Sequence, residues 1–261
     1  VTDAALLAAL PGWGFALLLV LARAGTALML LPGVGEAEVP AMPRAGLALA
    51  VAVLLLPSVA ERMPGVPDAP LRAAAMVVAE LACGLWLGWL ARLPMLALPV
   101  AGQVISYLLG LSSVLVPDAT LGGQGTAVSR LFALAAPVLI LVSGLYAFPL
   151  AALGASYALV PPGALVPAAD GAAAVLAAVG SSFALSLRLA APFVLASVVW
   201  QVAAGLLARA VPRMQVYFVA VPGQILGGLA LLGLLGGALL GAWRGGVADA
   251  YALLPPLVAA R

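Results

Sequence analysis

The chain has 261 residues, 66% of them hydrophobic and 8% charged, with 11 basic residues against 9 acids and a formal net charge of +2. An ordinary soluble domain is about half apolar and about a quarter charged, so these few ionised groups could not clothe a water-soluble fold of this length. The composition excludes disorder and a free-standing soluble domain. It points to an integral membrane protein, or to a chain covered by partners on nearly every side.

Absent residue types narrow the chemistry. There is no His, Lys or Asn. Without His, a Ser-His-Asp or Cys-His nucleophile cannot be assembled, and the commonest zinc ligand is missing. Without Lys there is no Schiff-base amine and no Walker-type phosphate loop. The single cysteine, Cys83, lies in an apolar run and reads as a small packing residue. The acids are scattered, and the close pair Glu36 and Glu38 falls in a loop, so no metal, cofactor or acid–base centre is expected. The pI near 9.0 reflects how few groups titrate, and no basic cluster marks a nucleic-acid surface.

In chain order, Ala4 to Leu31 reads as a first spanning segment interrupted by Pro11, with no positively charged start of the kind that opens a cleavable signal peptide. A breaker-rich turn follows from Pro32 to Pro40, then a short apolar stretch from Ala45 to Leu56. The run Glu61 to Pro70 is a solvated loop. Leu71 to Ala91 and Pro94 to Val116 form the third and fourth segments. A polar, glycine-rich stretch from Pro117 to Thr126 separates them from a fifth, Leu131 to Leu159, which contains Pro137 and Pro149 and ends at Pro161-Pro162-Gly163. Ala172 to Leu207 is one long apolar stretch broken by Arg188 and Pro192. The turn Arg209 to Gln215, with Pro212 and Arg213 between them, leads into Val216 to Ala242 and a short tail. Runs this long without alternation are helical, so the expected fold is all-α. It is a multi-helix membrane-associated protein with kinked or broken helices and helical hairpins, making roughly five to eight crossings at about 20 residues each.

Two patterns fit poorly with an ordinary multi-pass bundle. Excluding Arg23 and Arg188, a seven-segment layout divides the arginines almost evenly between the two sides, where positive-inside bias is the norm. Prolines 94, 99, 137, 149, 192 and 222 fall inside apolar segments, and interrupted backbone at membrane depth must be covered by protein or water.

Three kinds of feature stand out as candidates for assembly or gating. Gly84-xxx-Gly88, Gly223-xxx-Gly227, Gly233-xxx-Gly237 and Gly237-xxx-Gly241 follow the small-xxx-small pattern that lets helix backbones approach, although 29 glycines make single pairs easy to obtain by chance. Arg23, Glu80 and Arg188 are charges inside apolar runs, and such charges are costly and often functional. Glu80 lies two turns from Arg72 and could align with it, snorkel, or pair with a partner subunit, whereas Arg188 calls for a buried partner or a water-filled cavity. The loop from Gly110 to Thr126 mixes apolar residues with small hydroxyls and glycines: Leu111, Ser112, Ser113, Pro117, Asp118, Gly122, Gly123, Gln124 and Gly125. It could serve as a plain connector, or fold into a cavity and rearrange.

The order of these features resembles the FliR family and its injectisome counterpart SctT, the R component of the type III export gate. The resemblance rests on Arg23 through Pro32, Val39-Pro40 and Arg44-Ala-Gly-Leu-Ala-Leu closing at Pro57, then Ala101-Gly102-Gln103-Val104-Ile105 and Gly110-Leu111-Ser112. It continues through Ser156-Tyr157, Pro161-Pro162-Gly163, Ala191-Pro192, Gly205 through Val216, and Val221-Pro222. Departures are Tyr146 after Gly144-Leu145 where the family often shows Gly-His, Gln201 where Asn is common, and the order Pro117-Asp118; Arg188 has no family counterpart.

The resemblance implies a non-catalytic core subunit of the gate at the flagellar basal body in the bacterial inner membrane. It would assemble in a helical stack with the P and Q components, contact the B component and membrane lipid, and pass unfolded exported proteins. Residues 1–165 would form a P-like part carrying a pore plug at 110–126, 166–245 a Q-like hairpin, and 246–261 a tail. The glycine faces would then pack against sister subunits. The competing reading is a multi-pass transporter or channel for a small molecule, which would need converging intramembrane polar groups and usually a repeat.

Overall fold

A computed structural model of the chain describes residues 3–111, 115–118, 123–210 and 216–259. The described residues form eight α-helices, one 3-10 turn at Ala60–Arg62 and one short hairpin. The helices are α1 (Asp3–Leu30), α2 (Ala41–Val59), α3 (Pro70–Leu108), α4 (Ala127–Val142), α5 (Ala147–Leu159), α6 (Ala168–Ala210), α7 (Val216–Ala252) and α8 (Pro255–Ala259). Helices satisfy every backbone group internally, which is what an apolar surrounding demands. Five of them are long and apolar enough to cross a membrane, or up to six spans if the bent pair α4–α5 is taken as one.

The all-α expectation holds, with local differences. The third and fourth expected segments are one 39-residue helix, α3, which continues through Pro94 and Pro99. Prolines of this kind are tolerated in apolar helices because neighbouring helices cover the freed backbone groups. The fifth segment is two helices, bent by 71° at a break of four residues. Gly144 sits in that break with φ of +74°, a conformation a side chain would strain. Inside the glycine-rich loop, β1 (Leu115–Asp118) pairs antiparallel with β2 (Gly123–Thr126), matching Leu115 with Thr126 and Asp118 with Gly123. The sequence carries no strand alternation there. The ladder is only four pairs long, so it needs support from its surroundings.

The chain divides into two compact units built from interleaved segments. The first holds residues 1–93, 140–178 and 249–261. Its core gathers Ala24, Ala27 and Leu28 of α1, Ala48 of α2, Cys83 and Leu87 of α3, Leu153 of α5, and Val160. Half of these, three alanines and Cys83, are small, so the helices approach closely. A Cβ on Gly84 would collide with the Arg23 carbonyl and the Thr26 hydroxyl, and one on Gly88 with the Ala27 carbonyl. The Gly84-xxx-Gly88 pattern is therefore used within the chain, joining α3 to α1. The C-terminal part of this unit is tied to α3 by Tyr251, whose buried hydroxyl donates to the Ala91 carbonyl at 2.9 Å.

The second unit holds residues 94–139 and 179–248. Leu98, Ala101 and Ile105 of α3 are buried, as are Ala136 of α4, Phe193 of α6, and Trp243 and Val247 of α7. Gly102 lies against Ser129 and Phe132, and the Ser129 hydroxyl donates to the Pro99 carbonyl at 2.9 Å. Much of α6 and α7 is left open: 17% and 11% of their most apolar windows are buried.

Candidate functional site

Two polar constellations are built into this apolar chain, one in each unit. In the first unit, Arg23 of α1 and Glu80 of α3 are fully buried and face each other. Arg23 Nε donates to Glu80 Oε2 at 2.7 Å, and Nη2 to Oε1 at 2.9 Å, the bidentate fork that suits guanidinium and carboxylate. Nη1 donates to the Ser156 hydroxyl at 3.2 Å and to the Val160 carbonyl at 3.1 Å, and Nη2 reaches the same carbonyl at 3.1 Å. All five guanidinium protons are thereby engaged. The cation also stands 4.2 Å from the centre of the Tyr157 ring. Glu80 Oε1 accepts in turn from the Gly163 amide at 2.7 Å.

This clasp joins α1, α3, α5 and the Pro161-Pro162-Gly163 turn that leads to α6. The expected alignment of Glu80 with Arg72 and its pairing with a partner subunit give way to an intrachain pair with Arg23, because the close approach at Gly84 brings the two helices together. With every donor committed, the pair holds structure and offers no free acid or base. A second ion pair, Arg92 Nη2 to Glu36 Oε2 at 3.0 Å, ties the turn after α1 to α3, and Arg92 Nη1 also donates to the Leu30 carbonyl at 3.3 Å. Beside Cys83 and Trp86 lies an apolar recess of about 530 Å³, walled by Val166, Gly171 and Val175; the Trp86 indole N–H donates to the Gly171 carbonyl at 3.2 Å. Among the described residues, no three acids or cysteines gather as metal ligands would.

In the second unit, the base of the β1–β2 hairpin is the built feature. α3 ends in a Schellman motif: the Leu111 amide donates to the Ser106 carbonyl at 3.0 Å and the Gly110 amide to the Tyr107 carbonyl at 3.3 Å. Gly110 takes φ of +74°, the left-handed turn this motif requires. On the return side, Thr126 closes β2 and caps α4, its hydroxyl accepting the Ser129 amide at 3.4 Å. Gln103 Oε1 accepts both the Thr126 amide at 3.1 Å and the Thr126 hydroxyl at 3.2 Å. From α7, Gln224 Nε2 donates to the Leu108 carbonyl at 2.6 Å, satisfying one of the orphan carbonyls at the end of α3.

The remaining candidates are distributed as follows. Pro117 and Asp118 lie on β1; Gly123, Gln124 and Gly125 lie on β2. Ser112, Ser113 and Gly122 lie outside the described residues, as do Pro212, Arg213 and Gln215 of the α6–α7 turn. Arg209 is the basic residue in the last turn of α6 and is exposed. Gly223 lies against the Trp200 ring, whereas Gly227, Gly233, Gly237 and Gly241 have nothing within 4 Å of where a Cβ would stand. In the single chain Arg188 sits exposed on α6, on a side turned away from the core of its unit. Sequence reasoning missed the roles of Ser156, Val160, Gly163 and Gln103. The opposite signs of Arg23 and Glu80, each alone in an apolar run, were a usable signal for the clasp.

Residues 15–250 match the profile of the bacterial export proteins, family 1. The chain is 34% identical over 216 residues to the flagellar biosynthetic protein FliR of Caulobacter vibrioides, an alignment covering 83% of this chain and 86% of that protein.

Proposed function

Since the chain belongs to the bacterial export proteins, family 1, we propose that it is the R component of a flagellar type III export gate, lodged in the bacterial inner membrane at the basal body. In this reading it is a non-catalytic core subunit. With P and Q components it forms the pore that unfolded flagellar proteins traverse, it contacts the B component and lipid, and the segment 110–126 plugs the resting pore. Residues 1–165 form the P-like part, 166–245 the Q-like hairpin and 246–261 the tail.

The observation that carries this reading is the mismatch between α6 and α7 and a bilayer. With 43 and 37 residues, they are about 65 and 55 Å long at about 1.5 Å per residue, against a hydrocarbon layer of about 30 Å. Both are apolar nearly throughout and mostly uncovered. Lipid can shield only part of such a surface, and water cannot wet the rest without a large exposed apolar patch, so sister subunits are its natural cover. The open glycine face at 233, 237 and 241 supports close packing against one of them. A seal built from a small apolar loop can exclude ions by packing and dewetting, yet open without breaking strong polar bonds.

The test has two arms. Affinity purification of the chain from its native membrane should bring down P-, Q- and B-like subunits; recovery as a lone, stable monomer with a ligand-dependent melting shift would favour the small-molecule transporter instead. Deleting Leu115 to Gly123 should raise ion leakage through the assembled complex, and unchanged conductance would remove the plug.

A further inference from the structure

From Gly171 to Ala208, Arg188 is the only ionised residue of α6. It stands near the middle of the 43-residue helix, about 30 Å from either end at about 1.5 Å per residue. It is exposed, and among the described residues nothing pairs with it. Ser181, Ala184, Ala191, Leu195 and Val198 are exposed too, and with Arg188 they follow alternating steps of three and four residues. Such steps form one stripe along a helix, the seam by which two helices pack side by side. The residues one turn to either side of Arg188, Ala184 and Ala191, are small enough to admit a neighbouring backbone. Pro192, one turn on, has no amide hydrogen to give the Arg188 carbonyl. At one level of an apolar stripe the chain therefore presents a guanidinium beside a carbonyl that lacks its usual helical donor.

We propose that Arg188 is an intersubunit contact: it pairs with the carboxylate of an Asp or Glu carried inside an apolar helix of a neighbouring subunit, which packs along the 181–198 stripe of α6. The inference rests on the reading of the chain as a gate subunit and adds the chemistry of one partner. A charge within an apolar run is costly unless an anion or water meets it. With the bilayer centred on Arg188, neither end of the helix is within reach of the side chain, so the anion must come from protein. With Arg188 at one edge of the bilayer, the half of α6 beyond it stands outside lipid, and the protein that covers that half lies against the arginine as well. Small neighbours favour a helix over a lipid headgroup, because they open a slot for a backbone and offer little surface to an acyl chain. The guanidinium fork suits a carboxylate bidentately. A single charged residue on a helix seam also fixes register, which apolar packing alone leaves loose. A second copy of this chain is the poorer partner: Glu80, its acid deep in an apolar run, is already committed to Arg23.

The test purifies the complex from its native membrane through a tag on this chain, as the parent, as Arg188→Met, which keeps an apolar side chain of similar length, and as Arg188→Glu, which reverses the charge. Three quantities are read: the amount of each co-purified subunit, the phospholipid retained per complex, and the detergent melting of the full chain alone. Arg188→Met should lower the recovery of one subunit about ten-fold or more, and Arg188→Glu should lower it further, with the melting of the lone chain unchanged in both. In the Arg188→Glu background, changing one Asp or Glu in an apolar helix of that subunit to Arg should restore recovery. Parental recovery of every subunit with both variants overturns the pairing. Parental recovery with loss of bound phospholipid assigns Arg188 to a lipid phosphate and overturns it too. Altered melting of the lone Arg188→Met chain places the contact within the chain and overturns it. Lost recovery that no acid-to-Arg change restores overturns the carboxylate, and restoration by Asp249→Arg in this chain makes the partner a second copy and overturns the neighbouring subunit. A parent chain that brings down no other subunit overturns the gate reading itself, and the pairing with it.

Discussion

Removing one side of the Arg23–Glu80 clasp should be among the most damaging single changes available in this chain. Both groups are 0% exposed. Glu80→Gln removes the countercharge while leaving the volume, so a guanidinium with no anion remains in an apolar core. Breaking a buried pair in this way costs about 3–5 kcal/mol. Arg23→Met leaves Glu80 with the Gly163 amide as its remaining donor and takes both donors from the Val160 carbonyl. Each buried polar group left wanting adds about 1–3 kcal/mol, which places this variant in the same range or above it. The double change Arg23→Met with Glu80→Met removes both charges and leaves only neutral groups to satisfy. It should cost less than the sum of the two single changes by about 2 kcal/mol or more. Equilibrium unfolding of the purified protein in mixed mild and denaturing detergent measures all four corners of the cycle. Single variants that each lose less than about 1 kcal/mol, or a double equal to the sum, would refute the clasp as a coupled buried pair.

Two further predictions separate glycines that the fold uses from those it leaves open. Gly84→Val should destabilise the chain itself by about 1–3 kcal/mol, because its Cβ meets the Arg23 backbone rather than a flexible tip, and the same detergent titration reads this. Gly237→Leu should leave the melting of the isolated chain within about 1 kcal/mol of the parent, since nothing lies within 4 Å and leucine is the better helix former, yet impair co-purification of P- and Q-like subunits; normal assembly would count against a packed glycine face there.

The helical class and most helix positions were legible in the sequence because uninterrupted apolar runs leave a membrane-associated chain almost no other regular structure. Boundaries were less legible, and proline was the reason. Pro94 suggested a break between two spans, but α3 runs through it, whereas the real break at Ser143 to Tyr146 depends on Gly144, a weaker mark in the sequence than the prolines on either side. The hairpin could not be read at all: β1 contains a proline and β2 two glycines, and with one β-branched residue each, Val116 and Thr126, neither strand has the alternation that identifies one. Arg23 and Glu80 were legible as expensive residues but not as a pair, since 57 positions separate them and only the approach of α3 to α1 at Gly84 joins them. Gln103 was legible as part of the Ala101-Gly102-Gln103-Val104-Ile105 motif but not as the acceptor for Thr126. A glutamine near a helix end is ordinary, and its role comes from what the chain brings to it 23 residues later.

Glycine spacing illustrates why identical patterns led to different outcomes. Gly84-xxx-Gly88 and Gly233-xxx-Gly237 look alike as sequence, yet the first meets backbone within its own unit and the second meets nothing. The difference lies in what surrounds them. α3 carries Glu80 one turn before Gly84, and the Arg23 guanidinium fixes the partner helix, so the small face closes on a defined neighbour. From Val216 to Trp243, α7 has no ionised residue and so no such address within the chain. An apolar helix that lacks a polar registration mark gains little specificity from hydrophobicity in a lipid surrounding, where association depends on close packing rather than on escape from water. The open face of α7 therefore needs shape complementarity supplied from elsewhere, and in the proposed gate that shape belongs to another subunit. The high apolar content thus has two uses in one chain: in the first unit it fills a core organised by buried charge, and along α7 it presents a surface whose partner must bring the order with it.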